Sequence, residues 1–219
     1  MVQRLSEALE IPFRKRNSFL LSAGFAPAYR ESRLDDDRLK QVKSSLELLL
    51  ERHEPYPAFV LDRFWNIVMS NHAHDRIMEG LFADRERQGR DNAIRLVLDP
   101  NQLRPLIGNW AVVARTVMSR FERQYQASGQ DEDLLRFRAE MLAYPEVEGL
   151  LENPHEPDHD AILIPMELEI GGVQTSWFTT LATFGAPLDV TLQEAVIESL
   201  FPADEVTESF SRSMTGQSR

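Results

Sequence analysis

The chain has no cysteine. That excludes disulfides, thiolate zinc sites and cysteine nucleophiles, and it fits a cytoplasmic setting. No apolar run approaches the roughly 18 residues that span a bilayer, so no transmembrane helix is expected. The opening Met1-Val2-Gln3-Arg4 lacks the apolar core of a secretory signal. There is no Gly-x-Ser-x-Gly, no phosphate-binding Gly-rich loop with Lys, and no Gly-x-Gly-x-x-Gly. Positive charge is in short supply: 24 Lys and Arg face 35 Asp and Glu, a net −11. Over the whole chain this argues against non-specific nucleic-acid binding.

What is present is ordinary for a globular protein: 219 residues, 42% apolar and 27% charged. A chain of this length can bury roughly 70% of its unfolded surface, enough for one core. The charge is uneven. Residues 1–30 hold five Arg or Lys against two Glu, which is +3 and leaves −14 for the rest. Any nucleic-acid partner therefore belongs to that first segment.

The apolar periodicity predicts a short helix around Leu5–Leu9 and a second from Pro12 to Ala23, capped by Gly24 and stopped by Pro27. Asp35-Asp36-Asp37 offer caps for a helix through His53. Ala58–Leu61 and Trp65–Ser70 read as a hairpin about Asp62-Arg63-Phe64, and Asn71 caps a helix to Phe82. Residues 83–92 read as a loop. One long helix is predicted over residues 102–127, followed by another starting at Asp131. Residues 146–160 read as irregular. A second hairpin turns at Gly171-Gly172, and Thr191 is expected to cap a final helix through Leu200 before a polar tail. Two distant hairpins covered by helices give an α+β class, with room for a pocket between sheet and helices.

Several residues invite chemistry. His155-Glu156-Pro157-Asp158-His159 has the spacing of a zinc-protease helix, but Pro154 and Pro157 oppose a helix there. A solvated acidic loop is the preferred reading. His72, His74 and Asp75 could share a metal, yet two histidines two apart fall on different helix faces. Trp65 and Trp110 read either as core or as cavity walls, and Arg115 as a surface arginine or as an anchor for a ligand carboxylate.

Four stretches carry a resemblance. Pro57-Ala58-Phe59-Val60-Leu61-Asp62-Arg63-Phe64-Trp65-Asn66-Ile67-Val68 with Asn71-His72-Ala73 is similar to the opening hairpin and capped helix of a PAS-like domain. With residues 92–110, Phe184–Thr191 and Glu198–Asp204, it resembles the ligand-binding domain of MmyB-like bacterial transcription regulators over about residues 38–205. Residues 4–27 look like the last helices of the XRE-type helix-turn-helix of that family, without its recognition helix. Such a chain is expected not to read DNA sequence alone.

The resemblance implies a domain order: a helix-turn-helix remnant over 1–30, a PAS-like ligand-binding domain over 31–207 and a polar tail over 208–219. It implies a non-enzymatic sensor, cytoplasmic and homodimeric, with no cofactor beyond a bound fatty acid, as one family member looks to hold. The ligand-contacting candidates are Trp65, Asn71, Trp110, Arg115, Met118 and Trp177. Arg14, Lys15 and Arg16 are candidates for phosphate contacts only. In this reading the ligand favours one packing of helix 102–127 against the sheet. Two rivals are a dimerisation module with a filled core and a metal-dependent hydrolase built on His155 and His159.

Overall fold

The computed structural model describes residues 2–32, 36, 39–82, 91–129, 131–152, 163 and 165–214. The chain opens with α1 (Val2–Ala8), α2 (Phe13–Ser22) and α3 (Lys40–Arg52). A hairpin of β1 (Ala58–Leu61) and β2 (Ile67–Ser70) leads into α4 (His72–Leu81) and α5 (Ala93–Leu98). Then come α6 (Trp110–Ala127), α7 (Glu132–Leu142) and α8 (Val147–Glu152). The second hairpin pairs β3 (Met166–Ile170) with β4 (Val173–Ala182). After it come α9 (Val190–Glu194), β5 (Val196–Pro202) and α10 (Glu205–Met214).

Local chemistry explains most of these boundaries. Asn71, Asn92, Asp131 and Asp189 each sit at a helix N-cap and accept hydrogen bonds from the exposed amides of the first turn. Gly24 closes α2 at φ +80°, and the Phe25 and Gly24 amides donate back to the Leu20 and Leu21 carbonyls. Gly171 and Gly172, both at positive φ, form the two-residue turn between β3 and β4.

The five strands form one antiparallel sheet in the order β2-β1-β5-β4-β3. The two hairpins are therefore not neighbours; β5 joins them. In register, Phe59 lies beside Glu198, and Leu181 lies beside Glu198 on the other side. That places Phe59, Trp177, Thr179, Glu198 and Leu200 on one face of the sheet. The opposite face offers Ala58, Val60 and Ile197, which α3 covers with Leu46 and Leu50. The helices from α4 to α8 pack over the first face and hold the larger core. The α+β class with a PAS-like sheet is what the structure has.

Several sequence expectations are corrected. The helix predicted over 102–127 begins only at Trp110. Pro105 sits in a 3₁₀ turn, Arg104–Leu106, and Ile107 bridges to Leu168 at the sheet edge. The helix predicted from Thr191 to Leu200 ends at Glu194, and Asp189, not Thr191, caps it. Val196–Pro202 is the middle strand, packed on both faces, so its two-residue alternation is masked by apolar residues on either side. The expected polar tail from residue 208 is helical to Met214. It docks on β4 through Thr207 and Ser211, a buried stripe of small polar residues with no apolar period to detect. The expected Trp65–Ser70 strand starts at Ile67, part of the expected irregular stretch 146–160 is the helix α8, and α5 was not foreseen.

Candidate ligand-binding cavity

Between the sheet and the helices lies an apolar cavity of about 160 Å³. An apolar cavity of about 150 Å³ admits a benzene ring. The floor comes from the sheet: Phe59, Ile67, Leu168, Ile170, Trp177 and Leu200. The walls come from α4 (Ile77, Met78, Leu81), the α5 region (Leu96, Val97, Leu103) and one face of α6. That α6 face is Val113, Thr116, Val117 and Arg120, spaced at one helical turn. Thr116 and Thr179 are exposed and mark the mouth, between α6 and β4.

Three lining side chains are titratable: His74, Arg120 and Glu198. Arg120 Nη2 donates to Glu198 Oε2 at 3.2 Å and Nη1 to Oε1 at 3.5 Å. The two side chains are only 17% and 10% exposed, so water screens the pair weakly. The Arg120 guanidinium also lies over the Trp65 ring, 4.7 Å from its centre. His74 packs edge-on against Phe59 at 5.2 Å, and its Nδ1 lies 3.2 Å from Asp75 Oδ1. The Ser70 hydroxyl donates to the same Asp75 oxygen at 2.6 Å.

Trp65 is held in an unusual conformation, φ +64°, which costs a non-glycine residue about 1–3 kcal/mol. The surrounding turn over-determines it. Asp62 Oδ1 accepts from the Phe64 and Asn66 amides, and the Trp65 amide donates to the Asp62 carbonyl. The indole N–H donates to Gln124 Oε1 at 2.7 Å, and Gln124 Nε2 donates to the Arg63 carbonyl at 2.7 Å. The turn thus aims the indole at α6.

Trp65 and Trp177 line the cavity. The Trp177 N–H is satisfied by Thr175 Oγ1 at 2.8 Å, leaving its ring apolar towards the space. The other four ligand-contacting candidates lie elsewhere. Asn71 is a buried strut: its Oδ1 accepts from the Ala58 and His74 amides and its Nδ2 donates to the Tyr56 and Leu50 carbonyls. Trp110 donates to the Val97 carbonyl and is stacked by Arg104 at 3.6 Å. Met118 is fully buried on the α6 face with Ala114, Phe121 and Tyr125, turned to the neighbouring helices. Arg115 reaches the Leu150 carbonyl at 3.4 Å. Sequence reasoning missed Arg120, Glu198 and His74 as a group. Glu198 falls on the helix that the sequence predicts, and Arg120 lies beside a stripe that reads as a single face.

Arg14, Lys15 and Arg16 use their donors within the chain. Arg14 pairs with Glu194 at 2.7 Å and with Glu31, Lys15 Nζ donates to the Ser128 carbonyl, and Arg16 donates to the Ile11 carbonyl and the Tyr29 hydroxyl. His155 and His159 lie outside the described residues. Among the described residues, no group of three or more His, Asp or Glu is placed to hold a metal ion. His72 is exposed whereas His74 is buried, so the two do not converge. No helix among the described residues is long and apolar enough to cross a membrane.

A helix-covered five-stranded antiparallel sheet with an apolar cavity between sheet and helices is the architecture of a PAS-like domain. The family model for the MmyB-like transcription regulator ligand binding domain matches residues 42–214, and the chain belongs to this family, which is not one of enzymes. No curated protein matches the chain. Among solved structures, the crystal structure of the phage VqmA-DPO complex is similar at 11% identity and a TM-score of 0.36. The match covers 81% of this chain and 61% of that one.

Proposed function

We propose that the cavity binds a small apolar, fatty-acid-like molecule and that its occupancy controls DNA binding by a helix-turn-helix domain in a homodimeric regulator. The observation that carries this reading is the cavity itself. Apolar side chains from sheet and helices surround it, and among the described residues the Arg120–Glu198 pair marks one place for a polar group. Its volume encloses one ring or a short chain, and the Thr116–Thr179 mouth gives a longer chain a way out. The filled-core dimerisation module fits this space less well, because a packed core leaves few voids larger than a water. Control of DNA binding requires the ligand to favour one of two states of the protein.

The test is native mass spectrometry of the purified chain, followed by denaturation and lipid extraction. A co-purifying mass that releases as an acyl compound is the expected result. A clean apo mass, together with no thermal shift in saturating medium-chain fatty acid, fatty alcohol or fatty amide, overturns the reading. The same spectra give the oligomeric state, expected to be a dimer.

A further inference from the structure

The polar corner of the cavity is already neutral as a unit. Among the described residues, Arg120 is the one cation lining it and Glu198 the one carboxylate, and they hold each other in a fork. A ligand carboxylate that takes Arg120 leaves Glu198, 8% exposed, as a buried unpaired charge. A carboxylate that joins the pair puts two negative charges on one guanidinium. Either arrangement carries the penalty of an uncompensated buried ion. An uncharged group meets no such penalty. It accepts from an Arg120 N–H and donates to a free lone pair of Glu198.

His74 points the same way by independent means. It is 6% exposed and lines the cavity. Asp75 Oδ1 accepts from Ser70 and, as a carboxylate oxygen, can only accept from His74 Nδ1. With Nδ1 donating to Asp75, the neutral imidazole presents Nε2 as an acceptor. Among the described residues nothing bonds to Nε2. An acceptor on a residue that lines the cavity again asks for a donor and repels a carboxylate.

We infer that the cavity selects an uncharged head group combining a hydrogen-bond donor with an acceptor, such as a primary amide or an alcohol, and discriminates against a carboxylate. A carboxylic acid enters in its protonated form. Arg120, Glu198 and His74 are the specificity-determining residues. This rests on reading the cavity as a ligand site.

Hexanamide, hexan-1-ol and hexanoate share one chain and differ in the head group. Calorimetric titration of the full chain at pH 7.5 is expected to show hexanamide binding at least tenfold more tightly than hexanoate, with hexan-1-ol between them. Glu198→Gln, a near-isosteric change, leaves Arg120 as an unpaired cation. It is expected to raise hexanoate affinity at least tenfold and to reverse the preference between hexanoate and hexanamide. His74→Phe is expected to weaken hexanamide about fivefold. Hexanoate equal to or tighter than hexanamide in the unmodified chain overturns the inference while the ligand site stands. If none of the three binds at millimolar concentration, the ligand-site reading falls with it.

Discussion

Asn71 shows how one side chain can serve two elements. Its four hydrogen bonds tie the N-terminus of α4 to the start of β1, to the last turn of α3 and to Tyr56 beyond it. Alanine removes the cap and leaves buried backbone groups unpaired. Asn71→Ala is expected to lower stability by about 2–4 kcal/mol in urea unfolding, with ligand affinity within threefold, because the residue braces the cavity without touching it. Asp131 acts at the start of α7. Burial pushes its carboxyl up, but Arg63 at 2.8 Å and the Leu134 and Asp133 amides outweigh this and hold it below the usual carboxylate range. A lowered folded value stabilises the folded state above the unfolded pKa, about 3.9, and the contribution fades as pH falls through the folded value. Asp131→Ala is expected to cost about 1 kcal/mol at pH 7. The gap in urea midpoint from the unmodified chain should narrow steadily below pH 4, and a gap constant down to pH 2 would remove the carboxylate from the account.

At the scale of elements, α6 has two working faces. Ala114, Met118, Phe121 and Tyr125 pack against neighbouring helices, whereas Val113, Val117 and Arg120 face the cavity. Met118→Ala is expected to cost about 2–5 kcal/mol of stability through the void it leaves, yet to keep hexanamide affinity. Val117→Phe adds volume where there is space, so it should change stability by less than about 1.5 kcal/mol and weaken hexanamide at least tenfold. Equal effects of the two on binding would mean that α6 has no such division. The sequence made the elements legible where one face alone is buried, as in α4 and α7, and where caps are explicit, as at Asn71 and Asp131. It concealed β5 because residues such as Ile197 and Glu198 are buried on opposite faces, which erases alternation. It concealed α10 because Thr207 and Ser211 form its buried side. The site was half legible. Tryptophans announce themselves by size, but Arg120, Glu198 and His74 come from α6, β5 and α4, and only the sheet order brings them to one space.

The whole molecule joins this cavity to the N-terminal helices. A second cleft, of about 650 Å³, lies between α2 and the ligand-binding domain, and Trp65 and Arg120 line both spaces. The α2 helix docks there through Arg14 on Glu194 and through the Phe13 amide, which donates to Gln193 Oε1 at 2.6 Å. A ligand that engages Arg120 also fixes one wall of the cleft that α2 lines. Coupling of this kind is a free energy shared by two sites, so it must act equally in both directions. Hexanamide is expected to slow amide exchange within Phe13–Ser22 about threefold. Arg14→Ala, which frees Glu194 and loosens the docking, should speed exchange in the same helix and lower hexanamide affinity by no more than that factor. Hydrogen exchange by mass spectrometry, read beside calorimetry on the same samples, checks both directions. Exchange in α2 that ignores the ligand would mean that the shared wall is only structural. A loss of affinity well beyond the exchange factor would mean instead that Arg14 supports the cavity by some path other than the docking of α2.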